Sequence, residues 1–348
     1  MKKRLNWLRM LPFPPRLRVS RKSTVLYPFT FQPVFKERVW GGRELARLYG
    51  KKLPPGALIG ESWEISDRPG DASVIANGPF AGKDLRWLME NHARELLGDA
   101  KPTKENRFPL LIKLLDAREK LSLQVHPPAH KAAELKGEPK TEMWFIADAE
   151  PNAELFVGLK RGVTRGEFEK KIQSGGVAEC FHRVNVKRSD AMFLPSGRVH
   201  AIGAGLVIFE IQQNSDTTYR VFDWNRTGLD DQPRELHVPQ SLASIDFNDF
   251  EPSLIQSDFT GAGQVKIRPL VNDPLFKVEQ WKMPASATVT TKPHQLQIIG
   301  VLEGKLRVRD GQTQIDLSPG EFCLIPANLT QTSLQAESPT TLLRVEAA

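Results

Sequence analysis

Short strand-like runs separated by turns dominate the pattern of apolar and polar positions along the chain. Because Gly, Pro, Asn and Asp separate these runs, the pattern predicts a mainly β protein made of barrels or sandwiches. Strands are predicted over residues 27–40, 60–66, 109–116, 122–126, 143–146, 191–194 and 206–211, and then over 265–270, 276–281, 295–301, 305–309 and 321–325.

Helical spacing of apolar residues is confined to a few short segments. The clearest is Asp84–Leu97 (DLRWLMENHARELL), where apolar residues recur every three or four positions. A second helix is predicted over Val163–Ser174, capped near Thr164, and a shorter one over Arg43–Tyr49. These segments predict a few short helices inserted between the strands.

A weak internal repeat divides the chain into two β units. In the first, an apolar strand ends at Pro195 and His200 follows five positions later; in the second, a similar strand ends at Pro326 and is followed by Gln331. Since only one unit retains a histidine, we expect one metal site. The predicted organisation is a β unit over 25–250 with helical insertions, which carries the metal site, and a second β unit without metal over 251–348.

The basic character of the chain comes from its first 24 residues. They carry eight Lys and Arg and no acid, so the net charge of +7 leaves −1 for the rest of the chain. We expect a disordered tail over 1–24, and a body that binds neither nucleic acid nor membrane. Cys180 and Cys323 lie in apolar strands and are expected to be buried free thiols, which fits a cytoplasmic location.

Candidate metal ligands cluster in the stretch Ser122–Glu142 (SLQVHPPAHKAAELKGEPKTE). Gln124 and His126 are two residues apart on a predicted strand, so they point to the same face, and Glu142 follows. A second stretch, ending at His200, completes the set. Imidazole and carboxylate ligands suit zinc, iron, nickel or manganese. With no thiolate or thioether among the ligands, Lewis-acid chemistry is favoured over redox chemistry.

Several motifs, in order, resemble the type I mannose-6-phosphate isomerases, closest to the short bacterial form. They are FPLLIKLLDA (108–117), SLQVHP (122–127), KTE (140–142), LPSGRVHAIG (194–203) and QNSDTTYR (213–220). The resemblance runs from about Tyr27 to the C-terminus. One departure is Ser189, where a glycine is usual six residues before the motif proline.

The resemblance implies a cupin enzyme with one zinc ion per chain, which interconverts mannose 6-phosphate and fructose 6-phosphate. The family's metal ligands match Gln124, His126, Glu142 and His200. Its other active-site positions match Ser122, Lys140, Glu210, Asp216 and Arg220. Other divalent metals fit the same ligands.

Isomerisation moves a proton between C1 and C2 through a cis-enediolate, which requires a base. Glu210 and Lys140 are the candidates, and Glu210 is slightly favoured. Lys140 would share the face of Glu142 on a strand, and it is also a candidate phosphate ligand. Arg220 suits a phosphate or an enediolate oxygen, unless it forms a structural ion pair with Asp216 or Asp223.

Two alternatives to the isomerase follow from the same residues. A metal-dependent cupin oxygenase would favour a histidine at the position of Gln124 and would not use Lys140 and Arg220 together. A non-catalytic sugar-binding cupin would not need to keep Lys140, Glu210 and Arg220. The expected partner is a small phosphosugar, and the sequence leaves the oligomeric state open, with a monomer compatible.

Overall fold

The computed structural model of the chain describes residues 26–311 and 313–348. The predicted tail over 1–24 lies outside the described residues. Strands make up most of the regular structure, and the mainly β fold with a few short helices is confirmed. No helix in the described ranges is long and apolar enough to cross a membrane.

Two of the three predicted helices begin directly after a residue whose side chain caps them. Asp84 accepts a hydrogen bond from the backbone N–H of Trp87 (2.7 Å), and Thr164 accepts one from Glu167 (3.2 Å). The helices are α1 (Glu44–Tyr49), α2 (Leu85–Leu97), α3 (Ala129–Ala132), α4 (Arg165–Ser174) and α5 (Val238–Ser244), with a 3-10 turn at Val177–Cys180.

Strands up to residue 222 form two large facing sheets and two small ribbons. They are β1 (Phe31–Gln32), β2 (Val34–Gly42), β3 (Ile59–Ile65), β4 (Asp67–Arg68), β5 (Asp71–Ala72), β6 (Val74–Ile75), β7 (Leu110–Ala117), β8 (Leu123–Val125), β9 (Glu142–Ala149), β10 (Glu154–Leu159), β11 (Phe181–Asn185), β12 (Ala191–Leu194), β13 (His200–Ile202), β14 (Leu206–Gln213) and β15 (Tyr219–Phe222). One large sheet has the order β11-β10-β13-β8-β15 and the other β12-β9-β14-β7-β3-β2. All pairings in both are antiparallel.

Strands from residue 260 onward form a second pair of sheets. They are β16 (Thr260–Ala262), β17 (Val265–Asn272), β18 (Phe276–Met283), β19 (Thr288–Thr290), β20 (Gln297–Glu303), β21 (Leu306–Arg309), β22 (Gln314–Leu317), β23 (Phe322–Ile325), β24 (Ser333–Ala336) and β25 (Thr340–Ala347). Their orders are β16-β17-β18-β25-β20-β23 and β19-β24-β21-β22.

The two six-stranded sheets share one hydrophobic core through their outer faces. Ile112 and Leu114 of β7 and Phe209 of β14 join this core together with Val278 of β18 and Val345 of β25. Since side chains alternate across a strand, the residues between them point the other way, into the first sheet pair. Both faces of β7 are therefore buried, which explains its almost continuous apolar run.

The structure corrects the predictions for the first strand and for Lys140. The run predicted over 27–40 is regular only from Phe31, and Pro33 separates β1 from β2 because proline has no N–H to donate. Lys140 was expected on the strand of Glu142, but β9 begins at Glu142, and Pro139 precedes Lys140 in a loop. The strand-face reasoning for Lys140 was therefore wrong.

Candidate metal centre

Three of the predicted site residues lie in one row across the five-stranded sheet. His200 of β13 pairs directly with Gln124 of β8, which pairs on its other side with Arg220 of β15. Residues opposite one another on neighbouring strands point to the same face. Because neighbouring strands are about 4.8 Å apart, the row extends about 10 Å from His200 to Arg220.

Glu142 reaches this row from the facing sheet. Its Oε1 is 3.4 Å from Nε2 of His200, and its Oε2 is 3.6 Å from Nε2 of His126, which directly follows β8. The candidate ligand atoms of these three buried residues all lie within 4.8 Å of one another. The two sheets therefore bring three of the four predicted ligands to a single point.

Both histidines are held so that Nε2 faces the site. Nδ1 of His126 is 2.8 Å from the carbonyl oxygen of Thr217, and Nδ1 of His200 is 3.0 Å from that of Arg198. A carbonyl only accepts, so each Nδ1 carries the proton and donates it. Backbone partners of this kind fix the tautomer and ring orientation of metal-binding histidines.

The buried polar atoms at this point lack the hydrogen bonds that they would otherwise need. Nε2 of His126 and both oxygens of Glu142 make no hydrogen bond of good geometry among the described residues, although Oε2 of Glu142 forms an ion pair with Lys140. Such atoms are costly to bury, and a divalent cation would satisfy all of them. Gln124 directs its amide nitrogen to Nε2 of His200 (3.3 Å), so ligation through its oxygen requires the flipped amide.

The charges of the site favour neutral histidines and an ionised carboxylate. Burial, followed by the nearby Lys140, lowers the pKa of His126 to about 4. Burial also lowers the pKa of His200. Burial alone would raise the pKa of Glu142, but Lys140 and the two histidines outweigh the effect of burial. They hold the pKa of Glu142 well below its usual range. Neutral imidazole and carboxylate are the forms that bind metal ions.

Lys140 lies beside the candidate ligands although it is not on a strand. Its Nζ is 2.9 Å from Oε2 of Glu142, and the side chain is buried. The Ser122 hydroxyl, 3.3 Å from the amide oxygen of Gln124, lies on the same side as that residue, as predicted. The loop therefore delivers Lys140 to the site by a different route from the one the sequence suggested.

Glu210 belongs to a buried ionic network that sequence analysis did not identify. It accepts a hydrogen bond from Nε1 of Trp144 (2.9 Å) and pairs with Lys113 (3.2 Å). Lys113 also pairs with Glu61 (3.3 Å), to which Arg38 donates (2.7 Å). A lysine inside the apolar run PLLIKLLD was the available signal, because a buried ammonium requires partners.

The two carboxylates of the network keep Lys113 charged. Burial would lower the pKa of Lys113, but Glu61 and Glu210 outweigh it and raise the pKa. Likewise, burial would raise the pKa of Glu61, and Lys113 and Arg38 bring it below its usual range. The network places a fixed ammonium beside Glu210.

A cleft of about 630 Å³ adjoins the candidate metal centre. The predicted site residues that line it are Ser122, Gln124, Lys140, Glu210, Asp216 and Arg220. Arg220 does not form the structural ion pair considered for it. Its Nη1 donates to the backbone oxygen of Glu235 (2.7 Å), whereas Asp223 is bound by Arg226 and Arg234. The Arg220 side chain is therefore directed along the cleft wall without a carboxylate partner among the described residues.

The fold and the site together define a cupin-type protein with a candidate metal centre between the sheets of its first pair. Comparison with known proteins narrows the class. The family described as phosphomannose isomerase type I, catalytic domain, matches residues 29–160, and the mannose-6-phosphate isomerase cupin domain matches residues 266–345. The chain belongs to the type I phosphomannose isomerase family and is an enzyme of that family.

Relatives cover most of the chain. The chain is 36% identical over 316 residues to mannose-6-phosphate isomerase ManA of Bacillus subtilis, covering 88% of this chain and 96% of the relative. It is 35% identical over 301 residues to the mannose-6-phosphate isomerase of Streptococcus mutans, covering 86% and 92%. The crystal structure of the Bacillus subtilis mannose 6-phosphate isomerase superimposes with a TM-score of 0.84 at 33% identity, covering 91% of this chain and 99% of that one.

Proposed function

We propose that this enzyme interconverts mannose 6-phosphate and fructose 6-phosphate. The observation that carries the proposal is the row His200–Gln124–Arg220. It extends from the candidate metal centre to a guanidinium group along one cleft. An extended hexose phosphate has its carbonyl at one end and its phosphate at the other, matching a row of about 10 Å. The names of the relatives in Bacillus subtilis and Streptococcus mutans support the same reaction.

Gln124, His126, Glu142 and His200 would hold one divalent ion, which we propose to be zinc. When bound, the ion would act as a Lewis acid for the negative charge that develops on the sugar oxygens. Support comes from Nε2 of His126 and Oε1 of Glu142, two buried atoms that lack a hydrogen-bond partner among the described residues. Three nitrogen and oxygen ligands with a weaker amide oxygen form a donor set that zinc tolerates.

Glu210 is proposed to take the proton from one carbon and return it to the other through a cis-enediolate. It lines the cleft, and its oxygens are oriented by Trp144 and Lys113. Lys140 is the alternative, because its Nζ also reaches the centre of the site. Either group must reach a carbon-bound proton directly, since general-base catalysis requires close contact.

The other end of the cleft is proposed to bind the phosphate. Arg220 offers a planar, permanently charged fork of N–H donors, which suits a phosphate oxygen pair. Ser122 adds a hydroxyl to the cleft, and Asp216 lines its wall and is proposed to bind sugar hydroxyls. Lys140, whose Nζ lies beside Glu142 at the metal end, is proposed to bind the substrate there. These residues would orient the substrate so that its carbonyl end meets His200 and Glu142.

We further propose that residues 25–250 form the catalytic unit and 251–348 a second cupin-like unit without metal, following the tail over 1–24. The division of the strands between two sheet pairs supports this. A cytoplasmic location is also proposed, supported by the buried free thiols Cys180 and Cys323.

A coupled isomerase assay tests the reaction and the metal together. The protein is assayed on mannose 6-phosphate as purified, after chelation, and after separate additions of zinc, manganese, cobalt and nickel. We expect activity to vanish with chelator and to return most fully with zinc. Fully metallated protein that binds the sugar phosphate but does not convert it would favour the sugar-binding alternative. Consumption of oxygen with a substrate would favour the oxygenase.

A further inference from the structure

Two guanidinium groups bind one carboxylate beside the cleft, and a third guanidinium without a carboxylate partner among the described residues lies near them. Asp223 accepts hydrogen bonds from Nε of Arg234 (2.6 Å) and from Nη2 of Arg226 (2.8 Å). Arg220 stands three residues before Asp223, and the proximity of Arg234, after burial, lowers the pKa of Arg220. This cluster of Arg220, Asp223, Arg226 and Arg234 therefore carries an excess of positive charge at the rim.

The two arginines bound to Asp223 face different sides. Arg234 lines the same cleft as Arg220 and the candidate metal ligands. Arg226 lines a separate surface cleft with Lys120 and Trp224, and its Nη1 donates to the backbone oxygen of Lys120 (2.5 Å). Only Arg234 of the pair thus adds its charge to the cleft that holds the site.

Two N–H groups of this cluster are available to donate to an anion. Nε of Arg220 is buried and has no hydrogen-bond partner in the described parts of the chain. Arg234 uses Nε and Nη2 on Asp223, which leaves its Nη1 free to donate. Two guanidiniums close together in a partly buried place repel each other, and an anion between them would remove that repulsion.

Asp230 and Glu235, which lie in the loop around Arg234, do not already play this role. Asp230 lines the cleft, but its Oδ1 accepts from the backbone N–H of Gln232 in its own loop (3.1 Å). Glu235 gives Arg220 its backbone oxygen, while its side chain is 83% exposed. The excess charge between Arg220 and Arg234 is thus left for a ligand.

We propose that Arg234 is a specificity-determining residue, which joins Arg220 in binding the phosphate of the substrate and so selects phosphorylated sugars. This inference rests on the proposed function, since it assigns one end of the same substrate. Asp223 orients the Arg234 guanidinium before the substrate arrives, which lowers the entropy cost of binding. Arg226 shares Asp223 but has no contact with the phosphate.

The loop that carries Arg234 is fixed at its base. Nε1 of Trp224 donates to the backbone oxygen of Leu121 (2.7 Å), and the N–H of Gly228 donates to the oxygen of Gln232 (2.7 Å). Leu229, at the tip, lines the cleft with 60% of its surface exposed. A substrate whose phosphate is held between strand β15 and this loop would therefore lie beside the apolar side chain of Leu229.

Arg234→Met and the matched variant Arg226→Met test the assignment in the metal-loaded full-length enzyme. Each removes one arginine from Asp223, but only the first removes a charge from the cleft. We expect Arg234→Met to raise KM for mannose 6-phosphate and the inhibition constant of inorganic phosphate about 10- to 100-fold, with kcat changed far less. Arg226→Met should leave both constants within about two-fold. Arg234→Lys should recover part of the loss.

The same measurements separate this inference from the proposed function. Equal effects of Arg226→Met and Arg234→Met would reduce Arg234 to a structural partner of Asp223, and so would an unchanged KM and inhibition constant in Arg234→Met. Calorimetric titration with mannose 6-phosphate and with inorganic phosphate does not require turnover. The unaltered enzyme could bind mannose 6-phosphate and inorganic phosphate without interconverting mannose 6-phosphate and fructose 6-phosphate. In that case the proposed reaction is wrong, but the calorimetric comparison of the two variants still decides whether Arg234 binds phosphate.

Discussion

Gln297 occupies, in the second pair of sheets, the position that Glu142 occupies in the first. Glu142 opens β9 and pairs with Leu194, the last residue of the strand before Pro195. Gln297 opens β20 and pairs with Ile325, the last residue of the strand before Pro326. The two units therefore share the same pairing register between these strands. The second unit has an amide at the position where the first has a candidate metal ligand.

The exchange continues along the neighbouring strands. Arg344 of β25 occupies the position that Glu210 of β14 occupies in the first unit. Its partner on the neighbouring strand β18 is Glu279, whereas the partner of Glu210 on β7 is Lys113. Nε of Arg344 donates to Oε1 of Gln297 (2.7 Å). A fixed guanidinium thus lies beside the amide that replaces the ligand. This supports the proposal that a chain holds one metal ion.

Arg344→Met is expected to destabilise the protein strongly. It removes the buried cation that contacts Glu279, Gln297 and Glu346, leaving those groups without it. Losing one partner of a buried pair costs about 3–5 kcal/mol. Urea unfolding monitored by fluorescence measures the loss. Arg307→Met, which breaks only exposed pairs with Asp316 and Glu337, is the control and should change the midpoint little.

Glu210→Gln and Lys140→Met identify the proton-transfer group. If Glu210 is the base, its amide variant should lower kcat about 100- to 10,000-fold while the metal content stays unchanged. Glu61→Gln is the matched control, because it removes the other carboxylate from Lys113. A Glu210→Gln enzyme with nearly normal kcat, beside an inactive Lys140→Met enzyme that keeps its metal, would transfer the role to Lys140.

His200→Ala should lose the metal and the activity together. Nε2 of His200 faces Glu142 at 3.4 Å, and outer partners of metal ligands alone contribute about 10- to 100-fold to affinity, so a ligand should contribute at least as much. Metal content after dialysis, measured by mass spectrometry, checks the result. His182→Ala, on β11 away from the cleft, is the control. Full metal content in His200→Ala would remove His200 from the ligand set.

Ser189→Gly is expected to stabilise the fold by about 0.5–1 kcal/mol. Ser189 has a φ of +72°, a left-handed conformation that favours glycine, and its side chain is exposed. Gly320, at the equivalent position of the second unit, has a φ of +78°. Gly320→Ala should instead destabilise, because its Cβ would lie 2.4 Å from Cγ of Tyr49. Thermal midpoints of both variants measure the two effects, and a destabilised Ser189→Gly would contradict the first.

Asp116→Asn should gain stability relative to the unaltered protein as pH rises. Burial raises the pKa of Asp116 to about 6, although its carboxylate accepts the N–H of Glu44 at the start of α1 (2.6 Å). The folded state therefore holds this proton between pH 4 and 6, where the unfolded chain has lost it. Stability falls through this window by about 1–3 kcal/mol.

Urea midpoints of both proteins at pH 4, 5, 6 and 7 measure this effect. The difference between them should widen in favour of Asp116→Asn up to about pH 6 and then level off. The exposed Asp99→Asn serves as the control, and its difference from the unaltered protein should change little. A difference for Asp116→Asn that does not depend on pH would contradict the assignment.

Local patterns in the sequence were sufficient for most of the elements. Apolar spacing predicted α2, and a helical pattern with a cap near Thr164 predicted α4, because a helix is closed by hydrogen bonds between near neighbours in the chain. The strand register of the second unit also follows the repeat that the sequence shows around Pro195 and Pro326. Where a proline interrupted an extended run, as at Pro33, the strand was shorter than predicted.

Lys113 and Arg220 illustrate what local patterns could not predict. Lys113 stands in a run that reads as a buried strand, and its partners Glu61 and Glu210 come from the two strands on either side of β7. For Arg220, the nearby acids Asp216 and Asp223 suggested an ion pair, but Asp223 is already bound by two later arginines. Proximity along the chain does not determine which charges meet.

The sequence by itself determined the kind of fold, the repeat of two units and the residue types able to bind a metal ion, because each depends on local spacing. Only the tertiary structure decided how these residues meet. It brings Glu142 from one sheet to His126 and His200 of the other, aligns Arg220 with Gln124, and adds Arg234 from a loop. The reason is that buried charges and ligands are satisfied across sheets, by partners that are distant in the chain.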